Sequence, residues 1–206
     1  MPSNGRTSNL APLVAAIVLL GWIAVATAAC DVGFLADDYD VGALLHRRAE
    51  TSPNPWGRAF SIFGEKIGER FEVYRPLTIL SIELDYALHG PNGRAHHATN
   101  VALWILAALA SGFVAAAFAR RGGGLDEGQK NRAARRAGSA AFVFSLTSFA
   151  AIESLGWLVA REDLIVAAAG TAALAAQLRR PFSPLATVPW LVLAFLGKET
   201  AVVLPP

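Results

Sequence analysis

Three carboxylates stand within four residues in the stretch "GFLADDYDVGALL", residues 33 to 45: Asp37, Asp38 and Asp40. A carboxylate beside a reactive hydroxyl can take its proton, a contribution of about 10²–10⁴-fold to a reaction rate. Two adjacent carboxylates can equally hold a divalent cation, and the plain alternative is a solvated acidic turn. Further ionisable residues stand in apolar surroundings: Glu153 in "AAFVFSLTSFAAIESLGWLVA", and Lys198 with Glu199 in "LAFLGKETAVVLPP". At the centre of a membrane span such a group costs about 2.5–3.5 kcal/mol, so it faces a cavity or a partner. Lys198 and Glu199 can also mark a helix end near the headgroups, with the lysine snorkelling. Glu153, Trp157 and Arg161 are spaced i, i+4, i+8, which predicts one helical face rising about 12 Å. Arg75 in "YRPLT" and His96, His97 and Asn100 in "HHATN" complete the set. Adjacent histidines diverge by about 100° on a helix, so the pair reads as polar anchoring or as a contact with an anionic headgroup, before it reads as a metal site.

The elements that must position these residues are apolar. Hydrophobic residues make up 54% of the 206 and charged residues 17%, against about 25% charged in soluble domains. The apolar residues fall in blocks near the roughly 20 residues that cross a bilayer. Spans are expected at about 10–30, 97–119, 138–160, 164–178 and 184–204, with a long polar segment over 31–96. The first run, at 21 residues, exceeds the usual 7–15 of a signal-peptide core and is expected to remain as a helix. No basic stripe is interleaved with aromatics, which excludes a nucleic-acid binder. The single cysteine, Cys30, excludes an intrachain disulfide and a cysteine metal cluster. "GGG" at 122–124 lacks the Lys-Ser/Thr ending of a P-loop and reads as a linker.

Orientation follows from the basic residues. Segments 1–9, 120–137 and 179–183 hold nine Lys and Arg against two acids, whereas 31–95 holds seven against ten. The positive-inside rule then places the amino terminus in the cytoplasm and the three aspartates at the outer surface. In "RPLTILSIELDYALHG", residues 75–90, Thr78, Ser81, Asp85 and His89 recur at helical spacing beside a stripe of Leu77, Leu80, Leu84 and Leu88. The run is too short to span, so an amphipathic interfacial helix is expected, with Pro76 in its first turn.

In order, "FLADDYD", "YRPLTILSIELDYALHG", "HHATN", "AIESLGWLVARED" and "LAFLGKETAVVLP" resemble the amino-terminal half of a polytopic GT-C glycosyltransferase. The O-mannosyltransferase-like membrane proteins often fused to tetratricopeptide repeats are the nearest kind. The resemblance implies an all-α transmembrane bundle in a bacterial inner (plasma) membrane, here an incomplete module of a larger fold. It implies inverting transfer of a sugar from a polyprenyl-phosphate donor to a hydroxyl of a protein or glycan acceptor at the outer face. Asp38 would be the base with Asp37 beside it, and a divalent cation, if one is used, would sit on these two. Arg75, His97, Arg161 and Lys198 would serve the donor phosphate, and Glu153 and Glu199 the sugar or the cations. The other reading is a non-catalytic integral membrane protein, either a truncated fragment or a small assembly or transport subunit.

Overall fold

The computed structural model describes residues 10–35, 37–52, 54–64, 74–148, 150–179 and 183–203. Arg6, Arg180, the 65–73 part of the long polar segment and the last residue of the expected fifth span lie outside them. Among the described residues the chain is helical with no strand. The helices are α1 (Leu10–Cys30), α2 (Asp37–Thr51), α3 (Pro55–Ser61), α4 (Pro76–His89) and α5 (Gly93–Arg120). They continue as α6 (Glu127–Leu146), α7 (Ala150–Gly156), α8 (Arg161–Arg179) and α9 (Pro184–Gly197), and a 3₁₀ turn covers Glu199–Val203.

Local chemistry sets these ends. Asn54 accepts from Trp56 N and Gly57 N to start α3, and Pro55 takes its first position. The helix expected over 75–90 is α4; it begins at Pro76 and stops at Gly90, whose φ of 61° suits a residue without Cβ. Asn92 caps α5, and Asp126 with Gln129 forms a reciprocal capping box on α6.

The single helix expected over 138–160 is instead two. α6 ends at Leu146, α7 runs only from Ala150 to Gly156, and α8 begins at Arg161. Glu153, Trp157 and Arg161 therefore do not share one helical face. The reason is tertiary: the backbone after α7 turns to meet side chains from the first loop and α5, as shown below.

α5 is the central helix, packed on α6 and α8, with α9 against α8. Gly112 and Gly138 bring α5 and α6 into backbone proximity, since a Cβ on either would lie 3.0 Å from the other's carbonyl oxygen. Ala29, Trp104, Ala108, Leu146, Leu155 and Leu164 form the main apolar core. Large apolar side chains also cover the outside, among them Leu20, Phe113, Phe144 and Leu185. Among the described residues one helix, α5, is long and apolar enough to cross a membrane; the 16–30 part of α1 and α9 are apolar over shorter stretches.

Candidate functional site

The residues singled out by their chemistry gather at one end of the helices: the end of α1, the starts of α5 and α8, and the end of α9, with α2 and α4 against them. Asp38, at the start of α2, is fully buried. Its carboxylate accepts from Leu35 N at 3.0 Å, Leu158 N at 3.2 Å and Val159 N at 3.0 Å. It thus clasps the first loop to the α7–α8 junction, and three of its lone-pair directions are occupied. Asp37 is half-buried, and its carboxylate has no partner among the described residues. Asp40 is exposed and engaged.

Arg161 is also fully buried. Its guanidinium lies 2.6 Å from Asp85 Oδ2 and donates to Asn100 Oδ1 at 2.6 Å, His96 O at 2.8 Å and Ser81 Oγ at 3.3 Å. Asn100 in turn donates to Ser154 O at 3.0 Å, and Thr99 donates to Asp85 Oδ1 at 3.0 Å. One cation therefore joins α4, α5 and α8. His97 is buried with its two ring nitrogens on Leu155 O (3.0 Å) and Gly33 O (2.7 Å), so it too bridges distant backbone. His96 Nε2 sits 3.0 Å from Gly90 O. Thr78, Ser81 and Asp85 of the polar stripe of α4 accordingly face inward and His89 is exposed, as are Leu84 and Leu88 of its leucine stripe.

A second ionic group lies where α4 begins and α9 ends. Arg75 grips Glu199 through Nε at 2.9 Å and Nη2 at 2.6 Å, and reaches Glu162 through Nη1 at 2.5 Å. Lys198 donates to Glu162 at 2.8 Å and to Asp163 at 2.7 Å. Thr78 donates to Gly197 O at 2.9 Å and fastens α4 to the same place. Glu199 lies past the end of α9, and the hydrogen bonds from Arg75, then one from its own backbone, hold its carboxyl down at about 2. The same Glu199 bonds are the main cause raising Arg75 above its usual value.

Glu153 is exposed, with no partner among the described residues, so nothing here sets it opposite a cation. A pair the spacing argument passed over is Arg58 with Glu83, both buried and 2.5 Å apart. Arg48 reinforces it through Arg58 O at 3.0 Å and Ser61 Oγ at 2.9 Å. The signal was present: Glu83 stands between Ile82 and Leu84, the same isolation in apolar sequence that marks Glu153.

Between α2 and α4 a cavity of about 530 Å³ is lined by Phe34, Asp38, Tyr39, Gly42, His46 and Tyr86, among others. His46 Nδ1 and Tyr86 Oη are 3.2 Å apart. Asp38 presents this cavity with a carboxylate already bonded to N–H groups, so the lining offers rings and one imidazole–phenol pair. Among the described residues no three His, Cys, Asp or Glu side chains are placed to hold a metal ion. The Asp37–Asp38 pair is also ill-disposed to a cation, because N–H donors surround Asp38. No protein-family model, curated protein or solved structure matches this chain.

Proposed function

We propose that the chain is a polytopic membrane protein of the GT-C glycosyltransferase kind, its polar end facing outward and its amino terminus in the cytoplasm. The observation that carries this reading is the segregation of the two ends. Asp37, Asp38, Arg75, His97, Arg161, Lys198 and Glu199 collect where α5 and α8 begin and α9 ends, and the six basic residues of 120–137 flank the opposite end of α5. Basic loops inside and a polar working end outside agree with the positive-inside rule. Five spans follow if α1, α5, α6 with α7, α8 and α9 each cross.

In this reading the acceptor hydroxyl attacks the anomeric carbon of a sugar on a polyprenyl phosphate. The bond from that carbon to the phosphate oxygen breaks, and the hydroxyl proton goes to a carboxylate. Asp37 suits that role better than Asp38, because its carboxylate has no partner among the described residues whereas Asp38 is held by three N–H groups. Arg161 and His97 hold the frame together and are positioning residues. Arg75 and Lys198 can meet the leaving phosphate if the exposed carboxylates Glu199 and Asp163 swing aside, exchanging one anion for another.

A second reading, a non-catalytic membrane protein, is favoured by one observation: Arg75 and Lys198 already face three carboxylates, Glu162, Asp163 and Glu199. The assay that separates the two uses the full chain in vesicles with a radiolabelled polyprenyl-phosphate sugar. Asp37→Asn should slow transfer by about 10²-fold or more without loss of thermal stability, and Arg75→Ala should weaken donor binding. Transfer by Asp37→Asn at the wild-type rate removes the base assignment. No transfer and no donor binding by the wild type leaves the non-catalytic reading.

A further inference from the structure

The α3 helix and the turn after it carry a ridge of aromatics that stands exposed among the described residues. Trp56 is 66% exposed, Phe60 73% and Phe63 38%, and Tyr74, whose hydroxyl donates to Phe63 O at 3.0 Å, is 54% exposed. Trp56, Phe60 and Phe63 are spaced i, i+4, i+7, so the first two share a helix face and the third continues it into the turn. The opposite side is the reverse in character: Arg58, Ala59 and Ile62 are buried. Through Arg58, Glu83 and Arg48 this side is fastened to α4 and α2 by the buried ion pair described above. The aromatics are thus held outward on a rigid mount and cannot fold back into the core.

We propose that α3 is an interfacial anchor that seats Trp56, Phe60 and Phe63 in the headgroup region of the outer leaflet. Three observations favour a lipid surface over a protein partner. Aromatic rings are the side chains enriched at the membrane–water boundary. The mount lies at the polar end, where α5 and α8 begin, which is headgroup level for helices that cross; the helix it grips also turns Leu84 and Leu88 outward. Among the described residues, the adjoining end of α2 exposes Arg47 and Glu50, which contacts His46. They balance, so insertion is driven by the rings and is insensitive to salt and to anionic lipid. The consequence for the acidic loop is direct: α2 is tied to α3 through Arg48, so ring insertion sets the height of Asp37 and Asp38 above the bilayer.

The inference rests on the membrane reading above, and the experiment separates the two. In a Cys30→Ser background, single Phe60→Cys, Arg47→Cys and Leu106→Cys variants of the full chain are spin-labelled in phosphatidylcholine vesicles. Collision with oxygen, which concentrates in lipid, is compared with collision with a water-soluble nickel chelate. Leu106, exposed on α5, reports on the membrane reading; Arg47 reports water. The expected result is an oxygen-favoured label at 60, about 5–10 Å below the headgroup surface, unchanged between low and high salt. A label at 60 as open to the chelate as the one at 47, with 106 oxygen-favoured, overturns the anchor and spares the membrane reading. A label at 106 open to the chelate overturns both. A label at 60 shielded from both reagents means that a protein surface covers the ridge, and it overturns the lipid assignment.

Discussion

The two halves of α5 are held by opposite means. Toward its carboxy-terminal end it meets α6 across Gly112 and Gly138, backbone against backbone, as small residues allow in apolar surroundings. At its amino-terminal end it presents His96, His97 and Asn100 to Arg161, Leu155 O and Gly33 O through buried hydrogen bonds. Dispersion holds the first half, with many weak and replaceable contacts. The second is held by a few strong ones, each of which leaves a buried polar group stranded when its partner goes. Damage should therefore be graded in the first half and abrupt in the second.

The largest effect is expected at Arg161. Arg161→Met leaves Asp85 buried without its cation, at a cost of about 3–5 kcal/mol, read as loss of folded protein in a thermal scan of the reconstituted chain. Adding Asp85→Leu should return most of the loss. If the single variant is as stable as wild type, the polar end is not the frame described here.

Gly112→Leu should come next. Its Cβ would stand 3.0 Å from Gly138 O and 3.2 Å from Phe142 Cβ, and overpacking of that kind costs about 1–3 kcal/mol. Gly123→Ala, where an added Cβ meets nothing, should be silent in the same assay. Equal effects from the two would erase the contrast between a packed contact and a loop.

Asp38→Ala should cost about 1–3 kcal/mol, with the loss concentrated locally. Hydrogen exchange at Leu158 and Val159 should accelerate while the middle of α5 keeps its protection. Uniform acceleration would mean that the clasp is not local.

The smallest effect belongs to the Arg75–Glu199 pair, which is partly exposed and so weak. Glu199 is held at about 2 against an ordinary 4.5. Because its folded value is the lower one, its contribution is complete above the ordinary value and fades as the pH falls toward 2. The wild-type advantage over Glu199→Gln should be constant from pH 7 to 5.5 and vanish in strong acid. An advantage already gone at pH 5.5 would show that the pair does not form.

How much of this was legible in the sequence differs between the same two regions. Helix periodicity is local, so "RPLTILSIELDYALH" announced α4; α6 instead begins at Glu127 on its Asp126–Gln129 box, ahead of the apolar run expected from 138. The break after Leu146 was not legible, because "SLTSFAA" contains neither proline nor glycine. The turn between α7 and α8 is fixed instead by bonds from Asp38, Asn100 and His97 to backbone groups of residues 154–159. A bond to a backbone N–H or carbonyl leaves no residue-type signature at the far end. The chemical set was found from residue type alone, and its convergence at one end followed from the order of the spans. The role of Asp38 could not be found that way, since two of its three partners are main-chain atoms about 120 positions away.

The central claim is that the polar end of the helices and the basic 120–137 end lie on opposite sides of a membrane. In a Cys30→Ser background, Arg47→Cys and Gly123→Cys place single thiols at exposed positions of the two ends. An impermeant maleimide added to intact cells should label position 47 and spare position 123 until the membrane is broken. Labelling of 123 with protection of 47 would invert the orientation and remove the outward-facing site. Equal labelling of both in intact cells would contradict the membrane-spanning account altogether.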